Sequence, residues 1–298
     1  MEQAAVPTPA SSRLTASALA RALRPDEWVK NSFVYAALLF GGQFDVSGAL
    51  KATGAFVAFC AVASAGYLVN DVVDLELDRR HPVKRLRAIA SGALPVALAR
   101  VVALVLLVAG PLVGLLVSPA VCGLVAAYGA LTLSYSVALK KLVIIDVMTI
   151  AACFLLRVLA GAVAIGVTAS PWLLVCTGMV SLLLGFTKRR QEAVLEKNAP
   201  FGARPVLEHY TLPFLEQMVS MVSAGTVLSY TIYATQSPLA GDQMLWTVPM
   251  VVYGVFRYLY LIYHREDASS TASIVTRDPG IIGAAVAWAV AAALVVYL

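Results

Sequence analysis

The chain has 298 residues, of which 60% are hydrophobic and only 13% charged, with a formal net charge of +5. A mean hydropathy of +0.82 excludes a soluble domain, which cannot hide that much apolar surface, and points to an all-α polytopic membrane protein. Cys60, Cys122, Cys153 and Cys176 stand singly in apolar runs with no CxxC or Cys/His cluster. They read as packing residues rather than as a metal or disulfide framework.

Residues 1–30 are basic and rich in Ala, Ser and Pro, without an apolar core or a cleavage site, and read as a cytoplasmic N-terminal arm. A single transmembrane domain is expected over 31–298. Nine segments are long enough for a bilayer core of about 30 Å. They lie near 31–48, 53–77, 97–117, 119–138, 142–166, 170–188, 212–235, 244–264 and 280–298. The first is interrupted by Gly41 and Gly42; the others are rich in Ala and Gly, which permit close helix contact and homo-oligomers.

Of the 22 Lys and Arg, all but Lys51, Arg157 and Arg257 fall in the arm or within a helical turn of the connections after spans two, four, six and eight. The cytoplasmic loops are thus expected near 78–97, 138–142, 188–211 and 264–279, with the N-terminus cytoplasmic and the C-terminus outside. The opposite connections include "SPA" (118–120), "TAS" (168–170) and "QSPLAGDQ" (236–243), without a cation.

The stretch "YLVNDVVDLELDRRHPVKRLRAIASG" (67–92) sets three carboxylates at the end of span two. Asp71, Asp74 and Asp78 are spaced i, i+3, i+7, and Asn70, Asp74 and Asp78 i, i+4, i+8, so both sets share a helical face. Like charges on one face repel unless neutralised. A hard divalent cation, Mg²⁺ or alternatively Mn²⁺, takes carboxylate oxygens and completes its shell with water and phosphate. Asn70, Asp71, Asp74 and Asp78 are therefore candidate metal ligands. Arg79, Arg80, Lys84, Arg85 and Arg87 follow, suited to the remaining oxygens of a metal-bound diphosphate. Simple pairing of these acids and bases at the membrane surface is the alternative.

Asn70-Asp71-x-x-Asp74-x-x-x-Asp78, then His81-Pro82-x-Lys84 and Ile89-Ala90-Ser91-Gly92, resembles the first aspartate motif of the UbiA-type intramembrane prenyltransferase superfamily. The resemblance implies a UbiA-like helical bundle of about nine transmembrane helices with a cytoplasmic site in a bacterial cell membrane. One departure is Ala88, where the family usually has Pro after Arg87. A second is larger: after span six the family carries two Asp four residues apart, whereas this chain reads "LGFTKRRQEAVLEKN". Glu192 and Glu196 keep an acidic pair, but Lys188, Arg189 and Arg190 now lead it, a cluster suited to gripping phosphate directly.

That variation is similar to one branch of the superfamily, the actinobacterial decaprenyl-phosphate phosphoribosyltransferases. "RPDEWVKNSFVYA" (24–36), with Arg24, Pro25, Trp28, Lys30 and Asn31, and "LSYSVALKKLVIIDVMTIAACFLLRVLAGA" (133–162) resemble the same branch. The branch joins polyprenyl (decaprenyl) phosphate to 5-phosphoribosyl 1-diphosphate (PRPP), releasing diphosphate with inversion at the anomeric carbon, in arabinan precursor synthesis for mycobacterial-type cell walls. Three anionic groups meeting at one site call for more cations and fewer acids than a prenyl diphosphate does. The implied partners are PRPP, polyprenyl phosphate and membrane lipid, with no nucleic acid.

On this reading Asp71, Asp74 and Asp78 form the catalytic cluster, with Lys30, Lys84, Arg85, Arg87, Lys188, Arg189 and Glu192 around the substrates. Lys140 and Lys141 end span four, preceded by Tyr135 as a phosphate donor group, and Asp146 is expected to orient a cation or bind ribose hydroxyls. Arg157, three turns from Asp146 on the same face, lines a phosphate cavity or pairs with a neighbouring helix. In span eight Tyr253, Arg257, Tyr260 and His264 share a face, of which Arg257 and Tyr260 are substrate-binding candidates against an aromatic belt as the alternative. The loop 192–211, with Lys197, Arg204, Glu208 and His209, is a candidate mobile cap. An ordinary prenyltransferase using prenyl diphosphate and an aromatic or lipophilic acceptor is the second reading, opposed by "KRRQE". A transporter of anionic solutes is the third, opposed by the acid cluster and the lack of a visible inverted repeat.

Overall fold

The structure, a computed structural model, describes residues 12–40, 45–198, 205–236, 241–264, 275 and 277–297. Among these, every regular element is helical. In chain order they are α1 (Ser12–Leu23), a 3₁₀ segment (Pro25–Tyr35) running into α2 (Ala36–Phe40), α3 (Val46–Val73), α4 (Leu75–Arg80), α5 (Val96–Val117), α6 (Pro119–Val137), α7 (Ile145–Ile165), α8 (Pro171–Asn198), α9 (Leu212–Thr235), α10 (Val248–His264) and α11 (Pro279–Tyr297). Seven helices are long and apolar enough to cross a membrane. α9 has the length but carries Glu216, Gln217 and several hydroxyls. With the Pro25–Phe40 stretch these occupy the positions of the expected spans, and the chain is a multi-pass membrane protein.

Three local departures have physical reasons. Span two begins at Val46, not near 53, because Asp45 caps it, its carboxylate accepting from Gly48 N at 2.8 Å. Such a cap contributes about 1 kcal/mol, and Lys51 consequently lies on an exposed helical turn rather than in a loop. α8 runs through Asn198, so the cytoplasmic segment expected from 188 begins as three more helical turns of Arg, Gln, Glu, Ala and Leu, all good helix formers. The first span starts as 3₁₀ backbone. It lies against α7 at Gly161, where an added Cβ would come within 1.8 Å of the Val34 carbonyl oxygen, so only glycine permits this approach. The arm also contains structure: α1 buries Ala18 and Ala22 against Leu68, Ile89, Leu94 and Ala99. Gly41 and Gly42, Arg204, residues 237–240 and most of the segment 264–279 lie outside the described residues.

The core has two halves. Val34, Ala55, Phe59, Val62, Val121, Val125, Tyr128 and Ala160 join α3, α6 and α7. Val147, Leu183, Phe186, Leu215, Val219, Tyr258 and Leu261 join α7 through α10. Outward-facing Leu104, Val108 and Leu112 of α5 are exposed as lipid contacts. The end of α3, the turn between α6 and α7, and the distal part of α8 meet at one end of the bundle, where the site is built.

Candidate active site

At Asp74 the helix carrying the acids breaks, with φ −90° and ψ 8°, and resumes as α4. The expected single face thereby becomes two pairs. Asp71 and Asp78, both 3% exposed, share Arg87, whose Nη1 lies 3.1 Å from Asp71 Oδ1 and 2.7 Å from Asp78 Oδ2. Asn70 and Asp74 share Lys140, whose Nζ donates at 3.1 and 2.6 Å to their Oδ1 atoms. Among the described residues no three His, Cys, Asp or Glu side chains converge on one point. Unscreened carboxylates repel, and the basic side chains separate them pairwise. Burial, with Asp71 adding to it, raises the Asp78 carboxyl above its ordinary value against the opposing pull of Arg87.

The loop that delivers Arg87 is pinned at both ends. His81 Nδ1 accepts from Val83 N at 3.2 Å and from Lys84 N at 3.3 Å. Beyond it, Gly92 at φ 80° closes the Ile-Ala-Ser-Gly turn and buries Ile89 and Leu94. Lys84 acts on Asp78 through its charge, whereas Arg85 and Lys141 are exposed.

Arg24 was not among the site residues expected from sequence, although it opens the "RPDEW" stretch. Its Nη2 lies 2.6 Å from Asp71 Oδ1, and its guanidinium sits 4.9 Å from the Tyr67 ring centroid. Its φ of 52°, rare for a residue with a Cβ, is sustained by these contacts. Lys30 pairs with Glu27. Burial pushes Glu27 up, but Lys30, Lys188 and Arg24 together hold it below its ordinary value, which places Lys188 on this flank.

Other candidates are committed elsewhere. Arg189 is fully buried and does not present its charge to a phosphate: Nε donates to Asp146 Oδ2 at 2.6 Å, Nη1 to Glu192, and Nη2 to Tyr135 OH at 2.9 Å. Asp146, also 0% exposed, takes a second bond from Tyr210 OH at 2.7 Å. Tyr210 lies outside the expected motifs, and that same hydroxyl accepts from Ile144 N at 2.7 Å. Arg190 sits 4.0 Å from the Tyr263 ring and 3.2 Å from Glu216. Arg157 is held by Asn31 at 2.7 Å, Cys153 O and Tyr128 OH each at 2.8 Å, with its guanidinium over the Tyr128 and Phe154 rings. Arg257 is gripped bidentately by Asp278, which caps α11 through Ile281 N at 3.0 Å. Tyr260 is exposed and stacks on His264. The structure thus brings Asn70, Asp71, Asp74, Asp78, Lys84, Arg87 and Lys140 together with Arg24. It sets Arg157, Arg189, Asp146, Glu192 and Tyr135 into helix-to-helix networks, and Arg257 and Tyr260 on α10 apart from the acids.

The comparisons with known proteins bear on the family and the fold. The UbiA prenyltransferase family model matches residues 31–277. The chain is 33% identical over 293 residues to a Corynebacterium glutamicum decaprenyl-phosphate phosphoribosyltransferase, covering 95% of this chain and 88% of that one. It is 37% identical over 219 residues to its Mycobacterium tuberculosis counterpart, covering 72% of each. The structure of a UbiA homolog from Archaeoglobus fulgidus bound to GPP and Mg²⁺ superposes with a TM-score of 0.72 at 16% identity, over 94% of this chain and 100% of that one. With its family pattern spanning most of its length, the chain belongs to the UbiA prenyltransferase family.

Proposed function

We propose that this enzyme transfers the 5-phosphoribosyl group of PRPP to a polyprenyl phosphate, decaprenyl phosphate in the relatives' case, at the cytoplasmic face of a bacterial cell membrane. The bond from the anomeric carbon to the diphosphate oxygen breaks, diphosphate leaves with the electron pair, and a lipid-phosphate oxygen bonds to that carbon from the opposite side. The product serves arabinan precursor synthesis in cell walls of the mycobacterial type.

The observation that carries the reading is Arg189. Where an ordinary family member has a second Asp pair, this chain buries a guanidinium among Asp146, Glu192 and Tyr135. This internal cation pairs with Glu192, the first acid of the segment, so the acid cluster at the end of α3 is the better placed to hold a metal. A prenyl diphosphate held by two acid motifs is thereby disfavoured, and a sugar diphosphate held by one acid cluster and several bases is favoured. The decaprenyl-phosphate phosphoribosyltransferases that the chain resembles support the substrates.

The donor set fits a hard divalent cation. Asn70 and Asp74 already place oxygens 3.1 and 2.6 Å from a single cationic nitrogen, and Asp71 and Asp78 share one guanidinium. We assign Mg²⁺, with Mn²⁺ as the alternative, held by Asn70, Asp71, Asp74 and Asp78. When bound, the ion supplies charge neutralisation to the departing diphosphate. Lys140 and Arg87, paired with these acids in the structure, would be the cations nearest a diphosphate held there. Lys30 and Lys188, which both act on Glu27, are the candidate phosphate contacts on the other flank. A lipid phosphate is already ionised at neutral pH, so the protein's task is to align and to stabilise charge rather than to abstract a proton.

The test is turnover by purified protein in lipid with Mg²⁺, polyprenyl phosphate and PRPP, beside a second reaction with polyprenyl diphosphate and an aromatic acid. Diphosphate release with a phosphoribosylated lipid in the first, abolished by EDTA, is expected. Product only in the second would assign the ordinary prenyl transfer.

A further inference from the structure

A cavity of ≈ 170 Å³ opens beside Asp71, lined by Arg21, Ala22, Arg24, Leu86, Arg87 and Ala88. That is room for about six waters at about 30 Å³ each. Three of its lining residues carry guanidinium groups and one a carboxylate. Arg24 and Arg87 both converge on the same Asp71 Oδ1 atom, at 2.6 and 3.1 Å. Arg21 is exposed, and among the described residues it forms no ion pair. The cavity therefore has more positive charge than its walls neutralise, presented as planar forks that match the oxygens of a phosphate. Its location is also distinctive. Lys140 approaches the acids from the turn between α6 and α7, whereas this cavity lies against the N-terminal helix, with α1 as one wall. Arg24 is fixed there by its left-handed backbone and by Tyr67, and Arg87 by the His81 and Gly92 turns.

We infer that this cavity binds the phosphate monoester of a substrate, using Arg21, Arg24 and Arg87, and that α1 is part of the binding site rather than a leader to the membrane domain. The inference rests on the phosphoribosyl transfer proposed above, which brings two monoesters to the enzyme: the 5-phosphate of the donor and the phosphate of the lipid. The chemistry at the cavity is common to both. Asp71 stands between this cavity and Asn70, Asp74 and Lys140, so a diphosphate held on that far side leaves the cavity to the group that remains attached to its substrate through the reaction.

The experiment compares wild-type protein in nanodiscs with Arg21→Gln and Arg24→Gln, and with Lys51→Gln at the opposite end of α3 as a charge control. Melting temperature is followed for each variant. KM is measured separately for PRPP and for polyprenyl phosphate, and calorimetric binding is measured with ribose 5-phosphate and with a short-chain polyprenyl phosphate. The loss of one charge-assisted hydrogen bond predicts a rise in KM, or in Kd, of about tenfold or more in the Arg21 variant, with Lys51→Gln unchanged. A rise confined to PRPP and ribose 5-phosphate identifies the donor's phosphate, and a rise confined to the lipid substrates identifies the acceptor's. Unaltered KM and Kd for both substrates in folded Arg21→Gln and Arg24→Gln overturn the cavity assignment while leaving the transfer reaction standing. If wild-type protein forms no phosphoribosylated lipid, the reaction is what fails, and the two Kd values alone decide the cavity.

Discussion

Arg189 and Asp146 are both 0% exposed, and their separation of 2.6 Å leaves each the other's counter-ion. Breaking a buried pair by removing one member costs about 3–5 kcal/mol, because the survivor is stranded. Arg189→Gln is therefore expected to lower folded yield and melting temperature steeply; a well-folded variant with a raised KM would return Arg189 to the substrate. Glu27 gives a pH-dependent case. Its carboxyl is depressed despite burial, through Lys30, Lys188 and Arg24. A depressed acid stabilises the fold above its unfolded pKa, and that stability disappears as pH falls through the folded value. Glu27→Gln should melt below wild type at pH 7, with the gap closing as the pH falls below the ordinary Glu range. A gap that stays constant with pH would mean the carboxylate charge contributes nothing. The acids at 71–78 were legible in the sequence because residues close along the chain announce themselves by spacing, even though the helix breaks at Asp74. The partners of Arg189 and Arg257 were not, since Asp146 and Asp278 are 43 and 21 residues away and only the packed helices bring them near.

The elements divide similarly. Long apolar runs delivered the membrane helices from α3 onward, although α3 starts at Val46 rather than near 53 and α8 ends at Asn198 rather than near 188. The 3₁₀ start of the first span and the docking of α1 were hidden, because each depends on a surface elsewhere: Gly161 for one, Leu68 and Ile89 for the other. The turn between α6 and α7 is the element most relevant to the chemistry, since it carries Lys140 to Asn70 and Asp74. Within it Ile144 has φ 68°, a conformation that a β-branched residue adopts only at a cost of about 1–3 kcal/mol. Tyr210 holds it there, accepting from Ile144 N while donating to Asp146. Burial and that bond to Asp146 push the phenol above its ordinary range, so it stays protonated and able to donate. Tyr210→Phe should relax the turn and misplace Lys140. The expected result is about a tenfold fall in kcat, with a stability loss of about 1–3 kcal/mol from the unsatisfied groups. The same stability loss with unaltered kcat would confine Tyr210 to a structural role.

At the scale of the whole molecule, charge and chemistry coincide. Every residue gathered around the acids comes from the end of the bundle reached by connections that follow α3, α6 and α8, or from the arm, and these hold most of the Lys and Arg. On the function proposed above, the cations that hold phosphates are the same ones that would retain this end in the cytoplasm, since cytoplasmic loops carry the excess of Lys and Arg. The orientation matters to function because a donor with diphosphate and phosphate groups does not cross a bilayer unaided. Two exposed positions test it: Ala120, in the first turn of α6, and Arg80, at the end of α4. In a Cys122→Ser background, Ala120→Cys should react with a membrane-impermeant maleimide on intact cells, while Arg80→Cys should react only after permeabilisation. The reverse pattern would put the acid cluster outside the cell and remove PRPP supplied from the cytoplasm as its substrate. Equal labelling of both before permeabilisation would mean mixed insertion, with only the inward-facing fraction able to turn over.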